Sequence, residues 1–139
     1  MTRFVLDPRL ARDTMPLTDL SLCHVRLMND ARFPWLVLIP RRPDVQEVYD
    51  LDETDQMQLW REATTLGQAM MASLGGDKLN LASLGNIVAQ LHMHVIVRQR
   101  DDDAWPGPVW GQGTPIPYAD AGLQTMQERL MVLLDGLSL

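Results

Sequence analysis

Cysteine and clustered basic residues are both scarce in this 139-residue chain. Its single cysteine, Cys23, excludes an internal disulfide framework and favours a reducing compartment. The formal net charge is −6, and no run of basic residues is longer than Arg41-Arg42. Since long nucleic acids are usually bound by a basic face, the composition disfavours nucleic-acid binding. A small anion is still possible, because local dipoles and a few donors can bind it.

Long apolar runs are also absent. No stretch approaches the ~18 consecutive apolar residues of a membrane-spanning helix. The N-terminal sequence MTRFVLDPRLARDTMPL lacks the apolar core of a signal peptide. We therefore expect a cytoplasmic protein that does not contact a membrane. Hydrophobic residues make up 46% and charged residues 22%, which together with the length favours one globular domain over residues 1–139.

The order of apolar patterns indicates an α+β fold. Four segments are typical of strands, and the periodicity of residues 52–74 predicts a long central helix that ends at Gly75-Gly76. The predicted strands are LSLCHVRLMND (20–30), WLVLIPRR (35–42), KLNLASLGN (78–86) and LHMHVIVRQR (91–100). Short connections between successive strands favour an antiparallel sheet of about five strands with helices packed on it.

The last third of the chain divides into two parts. Residues 104–118, AWPGPVWGQGTPIPY, hold four prolines and three glycines, so we expect an irregular segment. Residues 120–137, DAGLQTMQERLMVLLDGL, have helical spacing and predict a C-terminal helix.

Two of the three histidines stand one residue apart in QLHMHVIVR (90–98). Because side chains alternate along a strand, one face would be apolar and the other would carry Gln90, His92, His94, Ile96 and Arg98. Successive residues on one face lie ~6.6 Å apart, so both imidazoles could contact one ligand.

Paired imidazoles suit several chemistries. They could serve as metal ligands, as general acid or base, or as a nucleophile, or they could be satisfied polar groups at a sheet edge. A metal site needs a third ligand, and His24 is the only remaining imidazole, although a carboxylate could also serve.

Together with LNLASLGN and NDARFPWLVLIPRR, this segment resembles the histidine triad (HIT) family of nucleotide hydrolases and transferases. The signature of that family is His-φ-His-φ-His-φ-φ, with φ apolar, and residues 90–96 here read Gln-Leu-His-Met-His-Val-Ile. The resemblance covers residues 20–98 and implies a HIT-like fold. Residues 99–139 lie outside it.

The resemblance implies roles for three residues. His92 would be the nucleophile that forms a nucleotidyl-histidine, which water then cleaves. His94 would contact the phosphate and assist the leaving group. Gln90 replaces the first histidine and would orient His92 by hydrogen bonding, without the positive charge that an imidazole can carry. The other ring nitrogen of His92 should donate to a fixed acceptor, which we expect to be a backbone carbonyl of the neighbouring strand.

Six further residues are predicted to bind the substrate. Asn80 would help hold the phosphate, Asn29 or Asp30 the ribose, and Arg98 would reach a terminal phosphate or solvent. Gly85 and Asn86 match the phosphate loop, whereas Ile87 stands where relatives often carry a hydroxyl, so one phosphate donor is missing.

The predicted function is therefore hydrolysis or transfer of nucleotidyl groups from a small nucleotide, such as a dinucleoside polyphosphate or a nucleoside phosphoramidate. The resemblance implies a homodimer and no metal or other cofactor. Two alternatives remain, namely a nucleotide-binding module with little turnover and a metalloenzyme that uses His92, His94 and a third ligand such as His24.

Overall fold

The computed structural model describes residues 3–137 and residue 139. Three α-helices, five strands and a short 3-10 helix account for its regular structure. In chain order they are α1 (Pro8–Asp13), β1 (Thr14–Asp19), β2 (Cys23–Met28), β3 (Trp35–Pro40), the 3-10 helix (Val48–Asp50), α2 (Glu53–Leu74), β4 (Lys78–Ala82), β5 (Met93–Arg98) and α3 (Asp120–Asp135).

The strands form a single antiparallel sheet in the order β1-β2-β3-β5-β4. The predicted α+β fold, with its five-stranded sheet, long central helix and C-terminal helix, is confirmed. The fifth strand is β1, which the sequence analysis did not identify. It pairs with β2 at the sheet edge, where Pro16 is tolerated and the register shifts between Pro16 and Thr18.

Each face of the sheet buries a separate apolar cluster. On one face, α2 and α3 pack against the sheet through residues such as Leu66, Met70 and Leu130. On the other face, Phe33, Trp35, Val37, Ile39 and Ile96 are covered by Leu10 of α1 and by Ala104 and Val109 of the irregular segment. The N-terminal residues therefore help to enclose the second face, and the histidines lie on this face.

Capping residues explain where the central helix α2 begins and ends. The Asp52 carboxylate accepts from the backbone N–H of Asp55, and Gly75 ends the helix with a left-handed φ of 69°. At Gly67, a Cβ atom would lie 2.6 Å from a side-chain methyl of Leu79, so the absence of a side chain lets α2 approach β4 closely. In the part of the chain that the structure describes, neither α2 nor any other helix has the length and apolarity needed to cross a membrane.

Residues 104–118 are irregular, as predicted, and the irregular region extends from 99 to 119 with a tightly organised start. The Asp102 carboxylate accepts from the Arg98 guanidinium at 2.7 and 2.9 Å and from the backbone N–H groups of Gln99, Ala104 and Trp105. The hydrogen bonds from Arg98 lower the pKa of Asp102 to about 2, against the opposing effect of burial. The Asp102 side chain is only 6% exposed, so this ion pair is buried.

Candidate active site

The two histidines of QLHMHVIVR lie side by side on one face of the sheet. His92 immediately precedes β5 and His94 is its second residue. Their ring centroids are 4.8 Å apart, and both rings are nearly buried. The alternate residues of this segment point to the other face of the sheet and pack in the apolar cluster under α2, as predicted. These residues are Leu91, Met93, Val95 and Val97. The period-two alternation of a strand therefore accounts for the shared direction of the imidazoles.

A cavity of about 300 Å³ opens in front of both rings. Its walls come from α1, the end of β2, the loop after β4 and the irregular segment. The lining residues are Leu10, Asp13, Met28, Leu84, Gly85, Asn86, Ile87, Val88, His92, His94 and Trp110. Gly85 and Asn86 therefore share this cavity with the histidines, and Gly85 has a left-handed φ of 78° that favours glycine.

The ring of His92 is oriented by the main chain. Its Nδ1 lies 2.6 Å from the carbonyl oxygen of Gln90. Because a carbonyl only accepts, Nδ1 carries a proton and donates it to this contact, which leaves Nε2 of the neutral ring with a free lone pair. The expected backbone acceptor is present, but the expectation that it belongs to the neighbouring strand is wrong, since it lies two residues earlier in the same segment.

The ring of His94 is held by a side chain. The indole Nε1–H of Trp35, at the start of β3, donates to His94 Nδ1 at 2.9 Å. Burial lowers the pKa of His94 to about 3, and the positive charge that His92 carries when it is protonated adds a smaller contribution. Near neutral pH His94 is therefore an uncharged imidazole.

The side chain of Gln90 holds the N-terminal segment. Its Oε1 accepts from the backbone N–H of Asp7 at 2.8 Å, and its Nε2 donates to the carbonyl of Val5 at 2.8 Å. The amide thus links residues 5–7, which lead directly into α1, to the histidine segment. The contact by which Gln90 orients His92 is made by its backbone carbonyl, while its amide group binds Val5 and Asp7.

The predicted ribose ligands line a second cavity next to the first. This cavity, of about 340 Å³, includes Asn29 and Asp30 and shares Asp13 and Met28 with the histidine cavity. Asn29 Oδ1 accepts from the backbone N–H of Tyr118 at 2.9 Å. The adjoining cavities could therefore accommodate two parts of one ligand.

Asp30 is paired within the protein. It is 1% exposed and forms a 2.8 Å ion pair with Arg32. Burial raises the pKa of Asp30, but hydrogen bonds from Arg32 and from the backbone of Ile116 outweigh it, so the pKa lies below its usual value. Asn29 is therefore the better placed of the two candidates to bind a ribose, because Asp30 is already held in an ion pair with Arg32.

Asn80 and Arg98 are not brought to the histidine cavity. Arg98 is 1% exposed, pairs with Asp102, and donates to Asn80 Oδ1 at 2.9 Å. Asn80 lines a separate groove, which shares only Trp110 with the histidine cavity. The expectation that Arg98 reaches solvent is wrong, because the guanidinium is buried near the rings of Phe33 and Trp105.

The remaining imidazole lies elsewhere. His24 Nδ1 is 2.6 Å from a carboxylate oxygen of Asp19, and its Nε2 is 3.1 Å from Arg26. Within residues 3–137 and 139, no group of three or more histidine, cysteine or carboxylate side chains is placed to hold a metal ion. The structure thus gives no support to a metal site built from His92, His94 and His24.

Sequence reasoning missed two contributors to the site. The sequence predicts Trp35 only as the start of a buried strand, and it predicts no role for the N-terminal segment. The signal for Trp35 was its parity with Val37, which pairs with His94 in the sheet. That signal becomes informative only once the register between β3 and β5 is known.

Comparisons with known proteins identify the family of this chain. The model of the HIT domain family matches residues 12–101, a longer range than the predicted 20–98. No curated protein matches the chain. Among solved structures, a histidine triad protein from Marinobacter aquaeolei is 45% identical, with 99% of this chain and 100% of that chain covered and a TM-score of 0.95. A histidine triad protein from Sinorhizobium meliloti is 46% identical, with 93% and 96% covered and a TM-score of 0.90.

A third similar structure, a histidine triad protein from Bradyrhizobium japonicum, is 43% identical over 93% of this chain and 96% of that chain, with a TM-score of 0.90. The family match, which spans more than half of the chain, and these three structures lead to one conclusion. The chain belongs to the histidine triad (HIT) family, whose members are generally nucleotide-binding proteins, hydrolases and transferases.

Proposed function

We propose that this protein hydrolyses or transfers nucleotidyl groups of small nucleotides through a covalent intermediate on His92. The substrates would be dinucleoside polyphosphates or nucleoside phosphoramidates. The observation that carries the proposal is the hydrogen bond from His92 Nδ1–H to the Gln90 carbonyl, which leaves an Nε2 lone pair on a ring that lines the cavity. An unprotonated nitrogen held in a fixed orientation is what a nucleophilic imidazole needs.

The reaction has two balanced halves. First, His92 Nε2 attacks the α-phosphorus; the nitrogen–phosphorus bond forms as the bond to the leaving group breaks, and the leaving group takes a proton from solvent. Then water attacks the phosphorus, the nitrogen–phosphorus bond breaks, and the water loses a proton. The ring gains positive charge while it is phosphorylated, and this charge strengthens the Nδ1–H contact to the Gln90 carbonyl.

The cavities suggest how a nucleotide would bind. The phosphate would lie against His94 and the main chain of Gly85 and Asn86, and the ribose would extend toward Asn29, or toward Asp30, in the adjoining cavity. Phosphoryl transfer depends chiefly on such alignment and on stabilising the equatorial oxygens. A role for Asn80 and Arg98 would require their mutual hydrogen bond to break, so the proposal does not use them.

Gln90 stands, in this proposal, at the position of the first triad histidine. Its carbonyl orients His92, and its amide holds the segment that leads to α1. Because a glutamine cannot become cationic near neutral pH, the transition state loses one possible positive charge. We therefore expect turnover without a metal or other cofactor. Its rate should depend more on the alignment of His92 with the phosphate than on positive charge in the site.

Rapid-quench labelling tests the proposal. The protein is mixed with diadenosine triphosphate or adenosine 5′-phosphoramidate labelled at the α-phosphate, quenched in base, and examined for an acid-labile protein adduct. We expect the adduct in the unmodified protein and in His24→Asn, the matched control. In His92→Asn we expect no adduct and turnover reduced by roughly 10³-fold or more. An equally strong adduct in His92→Asn would overturn the assignment.

One observation favours an alternative, a nucleotide-binding module with little turnover. Among the residues that the structure describes, those lining the histidine cavity include neither lysine nor arginine, and His94 is uncharged. If this alternative holds, adenosine monophosphate binds in a calorimetric titration, and binding weakens in Asn29→Leu. No adduct or product then forms with either labelled nucleotide.

A cytoplasmic location remains part of the proposal. It is supported by the single cysteine, which is buried and unpaired.

A further inference from the structure

The contact between Trp35 and His94 determines where His94 carries its proton. An indole N–H can only donate, so the 2.9 Å contact requires an unprotonated Nδ1 on His94. Both side chains are buried, at 6% and 4% exposure, so water does not compete freely for this nitrogen. A neutral imidazole has one proton, and with Nδ1 excluded that proton lies on Nε2. The lowered pKa, about 3, keeps the ring neutral at physiological pH.

The two imidazoles are therefore opposite tautomers. His92 is protonated at Nδ1 by virtue of the Gln90 carbonyl, and His94 is protonated at Nε2 by virtue of Trp35. With ring centroids 4.8 Å apart, one ring offers a lone pair and the other an N–H donor to the same cavity. A nucleophile and a hydrogen-bond donor for phosphate oxygens are both needed in phosphoryl transfer.

We propose that Trp35 is a positioning residue that holds His94 as the neutral Nε2–H tautomer, so that His94 donates a hydrogen bond to the transferring phosphoryl group. The catalytic consequence rests on the proposed function, whereas the tautomer itself does not. The opposite tautomer would turn a lone pair toward anionic oxygens and weaken the site. No proton is transferred in this role, because a fixed N–H dipole suffices to stabilise developing charge.

Nitrogen-15 NMR of the unmodified protein, without nucleotide, tests the tautomers directly. We expect His94 to be protonated at Nε2 and His92 at Nδ1, near pH 7. We also expect a scalar coupling across the N–H···N hydrogen bond between Trp35 Nε1 and His94 Nδ1. A proton on His94 Nδ1, or a clearly resolved spectrum without the coupling, would overturn the proposal. This measurement does not depend on whether any variant folds.

Two tryptophan variants form a matched pair. Trp110 also packs its ring against His94, at 4.9 Å between centroids, but makes no hydrogen bond to Nδ1. Trp35→Phe should therefore produce a second His94 tautomer, and Trp110→Phe should retain the single one. With adenosine 5′-phosphoramidate, we expect kcat of Trp35→Phe to fall by about tenfold and KM to change by less than about twofold.

The outcomes separate the two proposals. An unchanged tautomer in Trp35→Phe, or an equal change in both variants, would contradict the role of Trp35. A confirmed Nε2–H tautomer with the coupling, but no adduct on His92, would leave the tautomer assignment standing and overturn the proposed function.

Discussion

At the scale of single residues, the two imidazoles differ because their surroundings differ. Both are nearly buried, yet one ring nitrogen of His92 has a carbonyl partner and one of His94 has an indole partner. These partners lie on different elements, so neighbouring residues of one type acquire different proton positions. The family resemblance assigns the two histidines different roles, but the sequence does not predict which ring nitrogen carries the proton.

The lowered pKa of His94 predicts an acid-dependent loss of stability. Its folded-state pKa of about 3 lies below the unfolded value of 6.5, so the unfolded chain binds the extra proton between these limits. The contribution to stability is fully present above about pH 6.5 and is lost as pH falls toward 3, at about 1 kcal/mol per pH unit.

Urea unfolding at several pH values between 7 and 4.5 measures this slope. This pH range lies above the one in which carboxylates held in ion pairs, such as Asp30 and Asp102, take up protons. His94→Gln should flatten the dependence, whereas the control His24→Gln should retain it. Equal slopes in the unmodified protein and His94→Gln would contradict the assigned cause.

At the scale of elements, the N-terminal segment forms part of the site wall. Leu10 of α1 and Asp13 line the histidine cavity, and the Gln90 amide is bonded to residues 5 and 7 just before that helix. Arg9 adds a hydrogen bond to the carbonyl of Ile87, in the same loop between β4 and β5. The position of α1 is therefore linked to residues 87–90, which lead into the segment that carries the histidines.

Gln90→Met should loosen this segment. Methionine fills similar space but cannot accept from the Asp7 N–H or donate to the Val5 carbonyl, so the local opening free energy should fall by roughly 1–2 kcal/mol. Hydrogen exchange followed at the Asp7 amide should accelerate by about tenfold or more.

The matched control for this prediction is Gln46→Met. Gln46 borders the same surface cleft as Gln90, but its side chain is exposed. Exchange at Asp7 should therefore remain unchanged in Gln46→Met. Unchanged exchange in Gln90→Met would show that the amide does not hold the segment.

At the scale of the whole molecule, we propose that exposed apolar side chains near the start of α2 form the contact of the predicted homodimer. Met57 and Trp60 stand three residues apart on α2 with exposures of 68% and 46%, and Tyr49 of the 3-10 helix is 79% exposed. Large apolar side chains grouped on one surface are typical of protein–protein contacts. The strand β4 also lies at the edge of the sheet. The predicted homodimer stays a prediction.

Sedimentation velocity tests the homodimer. The unmodified protein should sediment as a dimer, and Trp60→Glu should shift it toward monomer because a charge would be buried in the apolar contact. Gln124→Glu on α3 adds the same charge at another exposed helical position and should remain dimeric. A monomeric unmodified protein, or a dimer unaffected by Trp60→Glu, would contradict the proposed surface.

Much of the fold could be predicted from local patterns. The helical period of residues 52–74 predicted α2 almost to the residue, and the four predicted strand segments contain β2, β3, β4 and β5. The N-terminal elements were missed because they are short and contain Pro8 and Pro16, which weaken the pattern of a strand or helix. The assignment of one domain to residues 1–139 stays a prediction.

The candidate site was predictable only in part. The phosphate-loop residues Gly85 and Asn86 share the histidine cavity, but Arg98 and Asn80 are bonded to each other outside it. The spacing of residues along the strand did not predict that Arg98 would be buried, because its partner Asp102 lies in the loop after the strand and folds back to pair with it. An ion pair of this kind depends on the path of the loop that follows the strand. The periodicity of apolar residues in the sequence carries no information about that path.

The sequence by itself determined that His92 and His94 point the same way, since side-chain direction on a strand depends only on the parity of position. The tertiary structure alone decided which atom each ring presents to a ligand. Trp35 lies 59 residues before His94 and meets it only through the register of β3 with β5. Proton positions in imidazoles follow hydrogen-bond partners, and partners this distant are chosen by the packing of the whole sheet.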